Sequence, residues 1–397
     1  MSTFAIASWV TYVSVVLIAL RTRGRFFATF LAVGLGLFTL VSVPLRPHLH
    51  NFGLLPDYLQ TVVYLHFLLY LWPRLRPLPF RIAVSFPASF FAAATLLAWP
   101  WAIVAALGFA PHGLYAPYGL ALLGLFQALY TRESVRELVL DDRDAGALRR
   151  YPMGRANAAP ALRIIQITDP HLGPFMPVSR LRRICERAVA RAPDLIFLTG
   201  DLLTVESNRE PHALPAALRP LLAMRGRVFA CLGNHDHEAP HIVRHALEDA
   251  GVTLLVDAAV ELDTPVGRLQ VLGFNHRYRG RKAQMAEVCA RFPKPEGALR
   301  IVLLHDPGAF TRLPPGEGDL VLSGHTHGGQ LGLVSFGLPW TFVSMVSKLP
   351  DHGLWARGKD RLYVHRGTGH YGFPLRVGVP AEQSMLHIRR GSPSPGV

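Results

Sequence analysis

A chain of 397 residues is longer than one compact domain ordinarily needs, so two units are expected before any motif is considered. Its 41 basic and 27 acidic residues leave a formal charge of +14, which suits nucleic acid, an anionic membrane surface or a phosphorylated substrate. The three cysteines, Cys185, Cys231 and Cys289, are dispersed and odd in number, so they suggest neither a disulfide framework nor a thiolate metal site, and a reducing compartment fits them best.

The first third is greasy. A bilayer core needs about 20 apolar residues per helix, because each backbone amide in lipid must be bonded within its own segment. Five stretches approach that length: 3–20, 26–45, 58–72, 82–110 and 114–130. The third is short and the fourth long, with Trp99-Pro100-Trp101 inside it, where proline should kink the helix. The first stretch lacks a preceding basic residue and a small-residue cleavage site, so it reads as a retained helix rather than a signal peptide. Arginines follow the first, third and fifth stretches (Arg21, Arg23, Arg25; Arg74, Arg76, Arg81; Arg132, Arg136, Arg143), whereas the links after the second and fourth are poor in them. Arginine excess marks the cytoplasmic side, so residues 1–131 are expected to be a multi-pass bundle in the cell membrane with the amino terminus outside and the rest of the chain inside. This makes membrane lipid the expected partner of the basic charge, and nucleic acid is not expected. Residues 132–161, charged and then rich in Ala, Gly and Pro, read as a juxtamembrane linker whose arginines either touch anionic lipid or are merely solvated.

From residue 162 onward, short runs of Ile, Val and Leu end abruptly in polar, metal-competent residues, as buried strands with functional loops at their carboxyl ends do. The run 162–168 ends in Asp169-Pro-His171, and 195–199 ends in Gly200-Asp201. The run 228–232 ends in Gly233-Asn234-His235-Asp236, 301–304 in His305-Asp-Pro307, and 320–322 in Ser323-Gly-His325-Thr-His327-Gly-Gly329. Asp169 to Asp201 is 32 positions and Asp201 to Asn234 is 33, close to the length of a strand, helix and strand. The spacers 179–191 and 241–250 suit helices. Repeated units of that kind bring Asp169, Asp201 and Asn234 to one edge of one sheet.

Phosphate esters explain why chemistry wants this set. Two divalent ions roughly 3.5 to 4 Å apart can stabilise both the entering and the leaving oxygen of an in-line displacement and activate the attacking water, with a shared carboxylate bridging them. Oxygen and imidazole donors without thiolate favour manganese, iron or zinc.

The five motifs, in this order and spacing, resemble the calcineurin-like metallophosphoesterases over about residues 162–375. The ending Gly-His-Thr-His-Gly-Gly-Gln330 and Arg366-Gly-Thr-Gly369 resemble the membrane-associated bacterial subgroup. The resemblance implies a two-sheet β-sandwich flanked by helices over residues 162–385, followed by a tail over 386–397. It implies one metal held by Asp169, His171, Asp201 and His327, a second held by Asp201, Asn234, His305 and His325, and Asp201 as the bridge. His235 would donate a proton to the leaving oxygen and Asp236 would orient it. His237, His241 and His245 read as solvated, and His370 and Tyr371 as residues that line the pocket. Where the subgroup often carries paired aspartates, this chain has Asn275-His276 and then Arg277, Arg279, Arg281 and Lys282, a loop that either grips a second phosphate or is plainly solvated.

The fold class expected is therefore an all-α membrane bundle followed by an α/β metallophosphoesterase domain. The function expected is hydrolysis of a phosphodiester, pyrophosphate or phosphomonoester, on a lipid-linked or nucleotide-linked substrate. The alternatives are a membrane receptor that binds such a ligand without turnover and a protein Ser/Thr phosphatase. Transport is disfavoured because the apolar stretches hold almost no ionisable residue apart from His66.

Overall fold

The computed structural model describes residues 2–155 and 159–391. The chain divides into two units, Met1–Leu129 with Gly372–Val377, and Tyr130–Tyr371 with Gly378–Val397.

The first unit is helical. Ser2 caps Thr3–Arg23 by accepting from the Ala5 amide, and Gly24 at φ +85° separates it from Arg25–Leu45, which runs on as a tighter turn to Phe52. Leu55–Leu69, Leu78–Leu97, Trp99–Ala106 and Tyr115–Leu129 follow. The expected kink is a full break: helix geometry is lost at Ala98, and Pro100 opens the next helix, where its missing N–H costs no hydrogen bond. Three helices are long and apolar enough to cross a membrane, Thr3–Arg23, Arg25–Phe52 and Leu78–Leu97. Leu55–Leu69 and Tyr115–Leu129 have 15 residues each, or ~22 Å at 1.5 Å per residue, short of the about 20 residues a bilayer core needs. Leu31, Leu35, Phe38, Val63 and Phe91 form the packed interior, while Phe26, Leu123 and Phe126 point outward and exposed, as lipid-facing side chains do.

The second unit is a two-sheet sandwich. With strands numbered along the chain, the first sheet runs β1 (Thr131–Leu140), β13 (Ala381–Arg390), β3 (Leu162–Ile167), β4 (Leu195–Leu198), β5 (Val228–Ala230) and β6 (Thr253–Leu254). The second runs β2 (Arg149–Arg150), β11 (Gly353–Arg357), β12 (Asp360–Val364), β10 (Leu320–Ser323), β9 (Leu299–Leu303), β8 (Gly267–Gly273) and β7 (Ala258–Thr264). β3 to β6 are parallel, as are β8, β9, β10 and β12, while β13, β11 and β7 introduce antiparallel pairs. Along β3, Leu162 and Ile164 face the core between the sheets, and Ile165 and Ile167 face outward against the helices Val178–Ala190 and Pro240–Asp249. Both faces are covered, which is why the strand reads as an unbroken apolar run. Arg281–Arg291 covers the second sheet through Met285 and Val288.

The linker and tail expectations are corrected here. Residues 131–140 form β1, parallel to β13 along its whole length, and residues 386–390, expected as tail, belong to that partner strand. Residues 156–158 and 392–397 lie outside the described residues. The physical reason is charge neutralisation across the edge of the sheet. Glu133 pairs with Arg187 at 2.9 Å and Arg191 at 2.5 Å, Glu137 pairs with His387 and Arg389, and Leu138 is fully buried in the core. An edge strand whose charges are answered by residues far along the chain looks like a solvated linker in isolation.

Candidate metal centre

The carboxyl ends of β3, β4 and β5 from one sheet and of β9 and β10 from the other converge, so the site needs both sheets. Asp169, His171 and His327 place one donor atom each within 4.8 Å of one another, and Asp201, His305 and His325 do the same. The two groups share a middle. Asp201 Oδ2 lies 3.8 Å from His171 Nε2 and 3.2 Å from His305 Nε2. His171 Nε2 and His327 Nε2 are 3.1 Å apart, His327 Nε2 is 3.5 Å from Asp169 Oδ1, and His325 Nδ1 is 3.2 Å from His305 Nε2.

Local backbone geometry makes this convergence possible. Asp169, His171, Asp201, His325 and His327 all have φ between 48° and 68°, a region that non-glycine residues rarely adopt. Strain of that kind is retained where surrounding structure over-determines it, and it clusters at functional sites. Gly233 is required for close approach: a Cβ there would sit 2.1 Å from Asp201 Oδ1.

Neighbouring groups aim the donors. His305 Nδ1 lies 2.7 Å from the Thr199 carbonyl, which holds the proton on that nitrogen and turns Nε2 toward Asp201. His171 Nδ1 meets the Leu203 carbonyl at 3.4 Å, with the same result. Asp169 accepts from Thr168 Oγ1 at 2.7 Å and from the His325 amide at 3.0 Å. Burial pushes the Asp169 carboxyl up to about 7. Burial also opposes ionisation of Asp201, but the charge and hydrogen bond of His305 outweigh it and hold the carboxyl well below its ordinary range. His305 is driven the other way: burial disfavours its cation, yet Asp201 raises it to about 10. These opposed shifts mark a buried carboxylate pair that demands positive charge, which divalent cations would supply with His305 neutral and its Nε2 free to ligate. Asn234 fits a cation as well, since its Oδ1 is buried with no hydrogen-bond partner, an acceptor left to face a ligand. Carboxylate, amide and imidazole donors without thiolate suit two divalent ions.

His235 and Asp236 part company. The His235 amide donates to Asp201 Oδ1 at 2.9 Å, and its ring Nδ1 lies 2.8 Å from Glu238 Oε1. Asp236, expected to orient His235, instead accepts from the backbone amides of Asp201, Leu202 and Gly233, each at 2.8 Å. Its fully buried carboxylate locks two strand-end turns together, and Glu238 is the group that meets the imidazole. The sequence carried a signal for Glu238, because in a helical turn the third residue on shares a face with the first. Burial works against protonation of His235, but the Glu238 hydrogen bond and Asp201 raise its pKa overall.

His237, His241 and His245 are exposed. Tyr371 packs over the site, its ring centroid 4.9 Å from His235 and 5.2 Å from His171, and reciprocal hydrogen bonds with Gln330 hold it at 2.9 and 3.1 Å. Burial pushes its hydroxyl up to about 12, so it stays protonated. His370 lies against Phe175. In the basic loop, Arg277 pairs with Asp257 at 3.2 Å and Arg281 with Asp306 at 2.5 Å, while Arg279 and Lys282 are exposed.

Residues 162–329 match a family model described as calcineurin-like phosphoesterase. Phosphodiesterase YaeI of Escherichia coli (strain K12) is 34% identical over 244 residues, spanning 60% of this chain and 86% of that protein. The chain belongs to the calcineurin-like phosphoesterase family. A transmembrane protein with metallophosphoesterase domain from Danio rerio is 29% identical over 58% of this chain and 53% of that protein. The UDP-2,3-diacylglucosamine pyrophosphatase LpxG of Chlamydia trachomatis is 25% identical over 52% of this chain and 78% of that protein. As a calcineurin-like phosphoesterase, the chain is a hydrolase acting on phosphoester bonds.

Proposed function

We propose that the chain is a membrane-anchored two-metal enzyme that hydrolyses a phosphodiester or pyrophosphate linkage in a lipid-linked or nucleotide-linked substrate. The observation that carries this reading is Asp201 Oδ2 lying between His171 and His305, with the buried, unpartnered Oδ1 of Asn234 in the turn whose Gly233 and His235 backbone packs against Asp201. Asp169, His171, Asp201 and His327 would hold one ion, and Asp201, Asn234, His305 and His325 the other. Bound there, manganese, iron or zinc would supply Lewis acidity to the phosphoryl oxygens and acidify the attacking water. His235, whose protonated form Glu238 favours, donates to the departing oxygen, and Tyr371 covers the histidines and limits water around them.

Relatives named as a phosphodiesterase and as a pyrophosphatase acting on a diacylated sugar nucleotide support the substrate class. The exposed Arg279 and Lys282 offer charge for a second phosphate. Anchoring is supported by the three bilayer-length helices and the Danio rerio relative. Arg74, Arg76 and Arg81 fall on the arginine-rich side only if Leu55–Leu69 also crosses, which favours five crossings with the catalytic unit on the cytoplasmic side. A reporter fused after Val397 should then be active only in the cytoplasm, and activity confined to the outer compartment would reverse the topology.

Purified protein should hydrolyse bis-p-nitrophenyl phosphate only with added manganese, and Asn234→Ala should remove most of that activity. Unchanged turnover in Asn234→Ala would sink the reading. The role of Glu238 has its own test. Glu238→Gln removes an interaction that raises the His235 pKa, so the alkaline limb of the kcat profile should move to lower pH. The acid limb should stay in place. An unmoved alkaline limb would show that His235 is not the acid.

A further inference from the structure

Immediately after the last metal-site histidine the chain makes an excursion, residues 331–349, whose side chains contradict its place on a water-soluble surface. Phe336 is 77% exposed, Met345 80%, Val346 64%, Trp340 58% and Phe342 54%. Single exposed apolar residues are ordinary, but a cluster of this size on one segment marks an interaction surface. The exposure is built in rather than a product of looseness. The Leu333 amide donates to the Trp340 carbonyl at 2.8 Å, the Phe342 amide to Leu331 at 2.8 Å, and the Ser335 amide to Gly378 at 2.8 Å. Thr341 and Ser344 cap each other, and Thr341 Oγ1 donates to the buried Asp351 carboxylate at 2.5 Å.

We propose that residues 331–349 form a lipid-docking surface that seats the catalytic unit on the membrane leaflet beside its metal centre. Three features single out lipid as the occupant. No acidic residue lies between Gly328 and Pro350, while Lys348 is exposed among the apolar side chains, the composition that enters an anionic interface. Trp340 is of the type favoured at the headgroup level, and Phe336 and Phe342 are of the type that buries at the boundary with the acyl chains. The same chain carries helices of bilayer length, so a lipid surface is held at high local concentration by covalent linkage alone. The excursion also folds back on the site: Gly329, two residues from His327, is packed so closely that a Cβ would lie 3.0 Å from the Val343 amide. Lipid engaged by this surface is therefore presented near the metals. The inference rests on the membrane-anchored reading above and deepens it.

Full-length protein carrying Phe336→Cys, labelled with an environment-sensitive fluorophore and reconstituted into phosphatidylcholine and phosphatidylglycerol vesicles, tests the surface directly. Brominated lipid should quench the label at least about twofold, as burial at the headgroup boundary requires. A label at Tyr278→Cys, equally exposed at 79% but on the basic loop, should be quenched much less. Equal, weak quenching at both positions, or crosslinking of the 336 label to a second protein or a second copy instead, overturns the proposal. The double variant Phe336→Ser with Met345→Ser should keep hydrolysis of soluble bis-p-nitrophenyl phosphate within about twofold. It should lose roughly tenfold on an acylated p-nitrophenyl phosphodiester in the same vesicles, the scale of losing two buried apolar side chains in part. Equal loss on both esters also overturns it. Absence of manganese-dependent turnover in the parent would remove the enzyme reading while leaving the quenching result to stand alone.

Discussion

Asp201→Asn should reduce kcat on bis-p-nitrophenyl phosphate by about a thousandfold or more, equivalent to ~4 kcal/mol of transition-state stabilisation. The substitution is nearly isosteric and keeps an oxygen to accept from the His235 amide, so the fold should survive, as circular dichroism would check. What it removes is negative charge at the point where the two donor groups meet, 3.8 Å from His171 Nε2 and 3.2 Å from His305 Nε2. An amide cannot balance two cations as a carboxylate does. Metal analysis should therefore find the variant short of its second ion even in excess manganese. Retained activity together with two ions per chain would refute the bridging role.

Asp236→Ala should act on stability first. The fully buried carboxylate satisfies three backbone amides, and alanine leaves those donors without an acceptor in a place water does not easily reach. At ~1 to 3 kcal/mol for each buried donor left unsatisfied, a loss of about 3 kcal/mol or more is expected, read as a lowered denaturation midpoint of the catalytic unit. Asp236→Asn, which retains an acceptor oxygen, should recover part of it. The comparison with Glu238→Gln is informative, because one variant changes the pH profile of turnover and the other does not. If Asp236→Asn shifts the alkaline limb while leaving stability intact, Asp236 serves the imidazole after all.

Much of the catalytic unit was legible because its chemistry is local. Strands buried on both faces must be continuous apolar runs, and loops at their carboxyl ends must be polar, so β3, β4, β5, β9 and β10 announced both themselves and Asp169, Asp201, Asn234, His305 and His327. The helices over Val178–Ala190 and Pro240–Asp249 were equally plain from their apolar spacing. Residues 131–140 were not, since nothing local distinguishes an edge strand with alternating charge from a solvated linker; its identity depends on Arg187, Arg191, His387 and Arg389.

By itself the sequence determined the apolar first third, the five strands that carry the site and the donor types at their ends, because burial and metal chemistry constrain residue type position by position. Only the tertiary structure decided which donors share a point in space, that the amides of Asp201 and Leu202 claim the Asp236 carboxylate and keep it from His235, and that an apolar excursion stands exposed beside the metal centre. Those facts depend on contacts between segments tens to hundreds of residues apart, and no local pattern encodes a distance across two sheets.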